Sequence, residues 1–157
     1  MNRVKKQMGM YELLNAASYF AKERKDRGLR GGVSKFSCFP PKVQYAIASN
    51  TKTIEDAIRP FIEIREEMST NIKNRYFDEE HSILDQINGK DVRKVKPEYM
   101  TDYSKDIGEF NEKLTEFMME KIDVEFFDVD MESLIENLPD DSDIGMEDIE
   151  VLSVFEK

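Results

Sequence analysis

Residues 41–74, PKVQYAIASNTKTIEDAIRPFIEIREEMSTNIKN, decide the fold class of this 157-residue chain. Val43, Ile47, Ile54, Ile58, Phe61, Met68 and Ile72 recur at steps of three, four or seven residues. That spacing holds one apolar stripe in phase for about eight turns of an α-helix. Pro40-Pro41 suits its start, because a proline in the first turn gives up only an N–H that has no helical partner. Pro60 lies inside the pattern. Its ring removes one backbone bond and crowds the preceding turn, so a kink near Asp56–Pro60, or two consecutive helices, is expected.

Upstream, Met10, Leu13, Leu14, Ala17, Phe20 and Ala21 predict a helix over about residues 8–26, pairing with the long one as an antiparallel hairpin. Lys22-Glu23-Arg24-Lys25 forms its exposed end, with cations where the helix dipole favours them. Gly28 stops the helix, and residues 28–41 form a loop whose Phe36 and Phe39 fold back onto the core. Downstream, Ile83–Ile87, Asn88-Gly89 and Lys90–Val95 read as a β-hairpin with a type I′ turn. A short helix over Glu79–Ile87 capped by Gly89 competes with it; the hairpin is favoured.

After Pro97, the stripe Met100, Tyr103, Ile107, Phe110, Leu114, Phe117 and Met118 predicts a third long helix, to about Lys121. Gly108 in its interior suggests close approach of a neighbouring helix. Val124, Phe126 and Phe127 to Val129 suggest a short strand, and Leu134, Ile135 and Leu138 one helical turn. An acidic loop at residues 139–145 precedes a C-terminal helix marked by Met146, Ile149, Leu152 and Phe155. The expected fold is mainly α, in the α+β sense, and residues 1–157 are read as a single domain.

Charge is unevenly spread. Residues 1–42 carry ten Lys/Arg against three Asp/Glu, whereas residues 120–157 carry two against fourteen. This polarity allows internal pairing, head-to-tail self-association between opposite patches, or two different partner surfaces. The candidate basic patch is Lys22, Arg24, Lys25, Arg27, Arg30 and Lys35. The candidate acidic protein-binding surface is Asp128, Asp130, Asp140, Asp141, Asp143, Glu147 and Asp148. With a net charge of −10 and only Phe36 and Phe39 interleaving the basic residues, nucleic acid is not expected as a partner. Carboxylates in a row can instead imitate a phosphate backbone and occupy the groove of a nucleic-acid-binding protein.

Catalytic patterns fail at named positions. Gly28–Lys35 is glycine-rich, but Val33 stands where a phosphate-binding loop needs its second Gly. A calcium loop around Gly145 places Ile144 and Val151 at ligand positions. The lone Cys38 excludes an internal disulfide and any multi-thiolate metal site, and fits a reducing, cytoplasmic setting. The lone His81, beside Asp78-Glu79-Glu80, is read as a surface histidine on an acidic turn rather than as a metal ligand or general base. Neither enzymatic activity, a cofactor nor a membrane span is expected.

Residues 42–66 also resemble a family of small phage proteins of unknown function. The likeness rests on Lys42-Val43-Gln44-Tyr45-Ala46-Ile47-Ala48-Ser49-Asn50, followed by Ile54, Ile58, Phe61, Arg65-Glu66, Tyr76 and Asp78, with Asn88-Gly89 as the turn of an acidic segment. The likeness extends loosely over residues 40–150; the basic first forty residues and the Gly31-Gly32 loop depart from it. It implies phage or prophage origin, mainly α architecture, and a location in the host cytoplasm or virion. It assigns no catalytic residue. The expected role is to bind a host or phage protein, in virion assembly or as an inhibitor of a host defence factor.

Overall fold

The computed structural model describes residues 1–157. The chain is mainly α, with two separate antiparallel strand pairs. It resolves into two compact units: residues 1–58 with 120–157, and residues 59–119. No helix is long and apolar enough to cross a membrane.

The first unit opens with a strand that the sequence pattern does not announce, β1 (Arg3–Gly9). It pairs antiparallel with β4 (Lys121–Phe127), in a register running from Arg3↔Phe127 to Gly9↔Lys121. Its inward positions are Val4, Lys6 and Met8. Lys6 breaks the apolar alternation, and its Nζ donates to the carbonyl of Val154 at 2.9 Å. The first helix, α1 (Met10–Asp26), therefore starts two residues later than expected, with Met10 N–H donating to Glu120 O at 2.9 Å. Its stripe buries Met10, Leu13, Ala16 and Phe20. Phe36 and Phe39 do fold back, from 3₁₀ turns that break up the 28–41 loop. The Phe155 ring stacks on Phe20 at 5.8 Å and meets Phe126 at 5.2 Å. Burying each of these rings contributes about 2–3 kcal/mol.

The long helix is α2 (Pro41–Tyr76), and it continues through Pro60 as one element rather than as two consecutive helices. The boundary between the units falls at Ile58/Arg59, beside that proline. In the first unit α2 buries Ala46, Ile47, Ile54 and Ile58. It also buries Asn50, whose amide clamps the end of β4: Nδ2 donates to Phe127 O at 2.9 Å, and Phe127 N–H donates to Oδ1 at 2.8 Å. The short helices α4 (Met131–Glu136) and α5 (Met146–Leu152) complete this unit, burying Met131, Leu134 and Leu152.

The second unit holds the remainder of α2, the hairpin β2 (Ser82–Ile87) and β3 (Lys90–Val95), and α3 (Met100–Met119). The hairpin reading holds, with Asn88 and Gly89 both at positive φ (52° and 75°), as a type I′ turn requires. Phe61 meets Phe117, and Tyr76 meets Tyr103, so the two helices run antiparallel. Only Phe61 and Tyr76 are buried apolar residues here, and α3 buries none of its stripe fully. No neighbouring helix closes on Gly108: a Cβ built there would meet no other element within 4 Å.

Asn50→Ala is expected to remove both bonds and leave the Phe127 amide and carbonyl unpaired, costing about 2–4 kcal/mol. Urea unfolding should show this as a lowered midpoint with little change in slope.

Candidate functional site

The basic segment and the acidic tail meet inside the first unit. Glu23, read from sequence as part of an exposed helix end, is 5% exposed. Its carboxylate accepts from Arg27 Nε at 2.8 Å, from the Arg30 guanidinium, and from the Lys35 backbone N–H at 3.1 Å. The i,i+4 spacing on α1 supplies the first bond, and the turn through Gly31 and Gly32, both at positive φ, returns the chain for the others. Asp148, 3% exposed on the first turn of α5, is the second centre. It accepts from Gly145 N–H at 2.8 Å, from Lys35 Nζ at 3.2 Å and from the Tyr19 hydroxyl.

The electrostatics follow from these contacts. Burial pushes the Asp148 carboxyl up, but the Gly145 N–H, Tyr19 hydroxyl and Lys35 ammonium outweigh it and hold the group below its ordinary value. Burial, and then the adjacent Asp148 carboxylate, push the Tyr19 phenol far up.

Little of the candidate basic patch remains free. Arg24 pairs with Glu55 at 2.6 Å, Arg27 and Arg30 with Glu23, and Lys35 with Asp148. Lys22 and Lys25 point to solvent. The acidic surface divides in the same way. Asp128 accepts from Lys157 N–H at 2.9 Å, and Asp130 caps α4 by accepting from Ser133 N–H at 3.0 Å. Asp148 is buried, whereas Asp140, Asp141, Asp143 and Glu147 are exposed. Internal pairing, one of the three outcomes the charge polarity allowed, is therefore what Lys35 and Asp148 do. Tyr19 and Glu23 were not singled out by sequence; both lie on a helix whose charged turns read as solvated.

An apolar cleft of about 400 Å³ lies near these residues in the same unit, floored by Phe39, Val43, Ala46, Val129 and Leu134. Cys38 lies at its edge, and burial raises its thiol, which keeps it protonated and a poor nucleophile. In the second unit, Asp78, Glu80 and His81 bring three potential ligand atoms within 4.8 Å of one another. The turn itself accounts for two of the three. Asp78 Oδ1 contacts His81 Nδ1 at 2.7 Å and accepts from His81 N–H at 2.9 Å, which holds the Asp78 carboxyl below its ordinary value.

The same unit projects the hairpin. On one face Ile83, Ile87 and Val92 are 49%, 43% and 39% exposed, around the Asp85–Lys94 ion pair. No family model, curated protein or solved structure matches the chain.

Because Asp148 is held below its unfolded value, its stabilising contribution is complete above the ordinary carboxylate pKa of about 4 and is lost as pH falls through the folded value. Asp148→Asn should therefore melt lower than the parent at pH 7, with the gap narrowing between about pH 5 and pH 3. Thermal melts followed by circular dichroism across that range check this.

Proposed function

We propose that this chain is a non-catalytic, phage-type protein-binding protein that docks a protein partner through the β2–β3 hairpin. One observation carries the reading: three β-branched apolar side chains, Ile83, Ile87 and Val92, share one hairpin face and stay 39–49% exposed there. Such residues favour a strand wherever they stand, but three of them grouped part-exposed on one face of a marginally stable two-stranded hairpin make an apolar patch that a partner surface can cover. The preformed type I′ turn fixes the register of that face before any partner arrives. The Cys38 thiol, raised by burial and so a poor nucleophile, fits a role without chemistry. The setting, virion assembly or inhibition of a host factor, rests on the resemblance of residues 42–66.

The double variant Ile83→Thr/Val92→Thr keeps β-branching while removing apolar surface. Immobilised parent protein should capture a partner from host lysate, and the variant should retain at least tenfold less, with an unchanged circular dichroism spectrum. Capture of nothing by the parent, or equal capture by both, rejects the reading.

A second reading, a nucleic-acid mimic, is favoured by the acids that have no cation partner: Asp140, Asp141, Asp143 and Glu147, all exposed around the start of α5. It requires binding to a basic groove that weakens steeply with salt and disappears when Asp140, Asp141 and Asp143 become Lys. Indifference to both changes removes it.

A further inference from the structure

Along one side of the α2–α3 pair of the second unit lie two adjoining hollows that share Ser69 and Phe110 and together form a groove. Its floor is Ile72, Phe77, Tyr103, Ile107, Phe110 and Leu114; its α2 wall holds Glu66, Ser69, Thr70 and Lys73, together with Arg65, whose guanidinium lies over the Phe61 ring at 5.8 Å from its centroid. None of the six floor residues is buried, although every one is apolar or aromatic. Two antiparallel helices leave such a stripe partly wet, because each has only one neighbour to cover a face about 100° wide or more.

The charge layout of α3 distinguishes this side from the opposite one. Placed at 100° per residue, Asp102, Lys105, Asp106, Glu109, Glu112, Lys113 and Glu116 all fall within roughly a third of the helix circumference. The opposite side of the seam is lined by Asp106, Glu109 and Lys113. Beyond the groove, by contrast, come Asn111, Ser104, Thr115 and Gly108, all exposed and all uncharged. A helix surface free of charge well past the seam lacks the groups that interface cores exclude. Gly108, a destabilising residue with open space beside it, sits on that surface.

We infer that a second copy of this chain covers the groove, in a two-fold pairing of α2–α3 arms. The two wall charges that have no partner in the chain select this occupant. Glu66 and Lys73 lie seven residues apart on one face of α2 and have no ion-pair partner in their own chain. In an antiparallel two-fold arrangement centred between them, at the level of Phe110, Glu66 of each copy faces Lys73 of the other. An isologous contact is self-complementary in this way when opposite charges stand equidistant from the axis. The face is small. Helices of about 18–20 residues are about 30 Å long and together about 20 Å wide, below the roughly 800 Å² per partner of a standard interface. The dimer is accordingly weak and concentration-dependent. It uses neither the hairpin face nor the Lys22–Lys35 segment, so it stands or falls apart from the docking reading above.

Sedimentation equilibrium on the full chain, from about 5 to 200 μM, tests it. The parent should move from 18.4 kDa towards twice that mass. Glu66→Lys and Lys73→Glu alone each set like charges opposite each other twice, and should weaken association about three- to tenfold. The double variant restores opposite signs with inverted polarity, and should return to within about twofold of the parent. Both sites are exposed, and circular dichroism should show the helices intact. A parent monomeric at every concentration overturns the inference; so does association that the single swaps leave unchanged, or weakening that the double swap fails to reverse.

Discussion

Everything in the first unit depends on the pairing of β1 with β4, which joins segments from opposite ends of the sequence into one ribbon. Two strands alone are marginally stable in water. Here the ribbon is held at several points. Asn50 takes both the N–H and the carbonyl of Phe127; Asp128 N–H donates to Asn2 O at 2.8 Å; and Val129 N–H donates to Phe155 O at 3.1 Å. These bonds place Phe126 against Phe155, which in turn stacks on Phe20, so the sheet, α1 and the last turn share one aromatic core. Without the strand pair, Phe155 would lose the Phe126 ring and the aromatic core would keep only its α1 side.

Two buried carboxylates then determine how the irregular segments lie. Glu23 gathers Arg27, Arg30 and the Lys35 amide, and Asp148 gathers Lys35, Tyr19 and the start of α5. A buried acid stripped of such partners is strongly destabilising, whereas a fully bonded one contributes little net stability. The gain lies in specificity, because few other arrangements of residues 27–40 would satisfy both groups. The polarity along the sequence is thereby largely consumed inside the molecule, and the free charge that remains is mostly acidic.

Much of this architecture was legible from the sequence. The α2 stripe, the Asn88-Gly89 turn, the inward Phe36 and Phe39, and the approximate positions of α3, β4 and α5 followed from period and turn chemistry. β1 did not, because Lys6 occupies an inward position and satisfies itself on the Val154 carbonyl, a partner far away in the sequence. Nor did the burial of Glu23 and Asp148, since a charged residue on a short-range pattern reads as solvated until its distant partners are known. Periodicity likewise identified the apolar face of α3 but not how little of it the chain covers. The basic segment was recognised by composition, yet composition does not report that four of its six cations are already paired.

The insertion of the second unit between the two halves of the first has a kinetic consequence. Bringing β1 to β4 requires closing a very long loop, and chains dominated by such distant contacts fold slowly. The inserted arm has mostly local contacts, a tight hairpin flanked by two helices that pack on each other, and so can form early. Once formed, it holds Phe61 and Phe117 with ring centroids 6.3 Å apart. The stretch between them then no longer counts as slack chain, and the search that remains for β1 and β4 is over a much shorter effective loop. An arm that folds on its own local contacts thus shortens the chain that must be searched before the two ends of the sequence can pair.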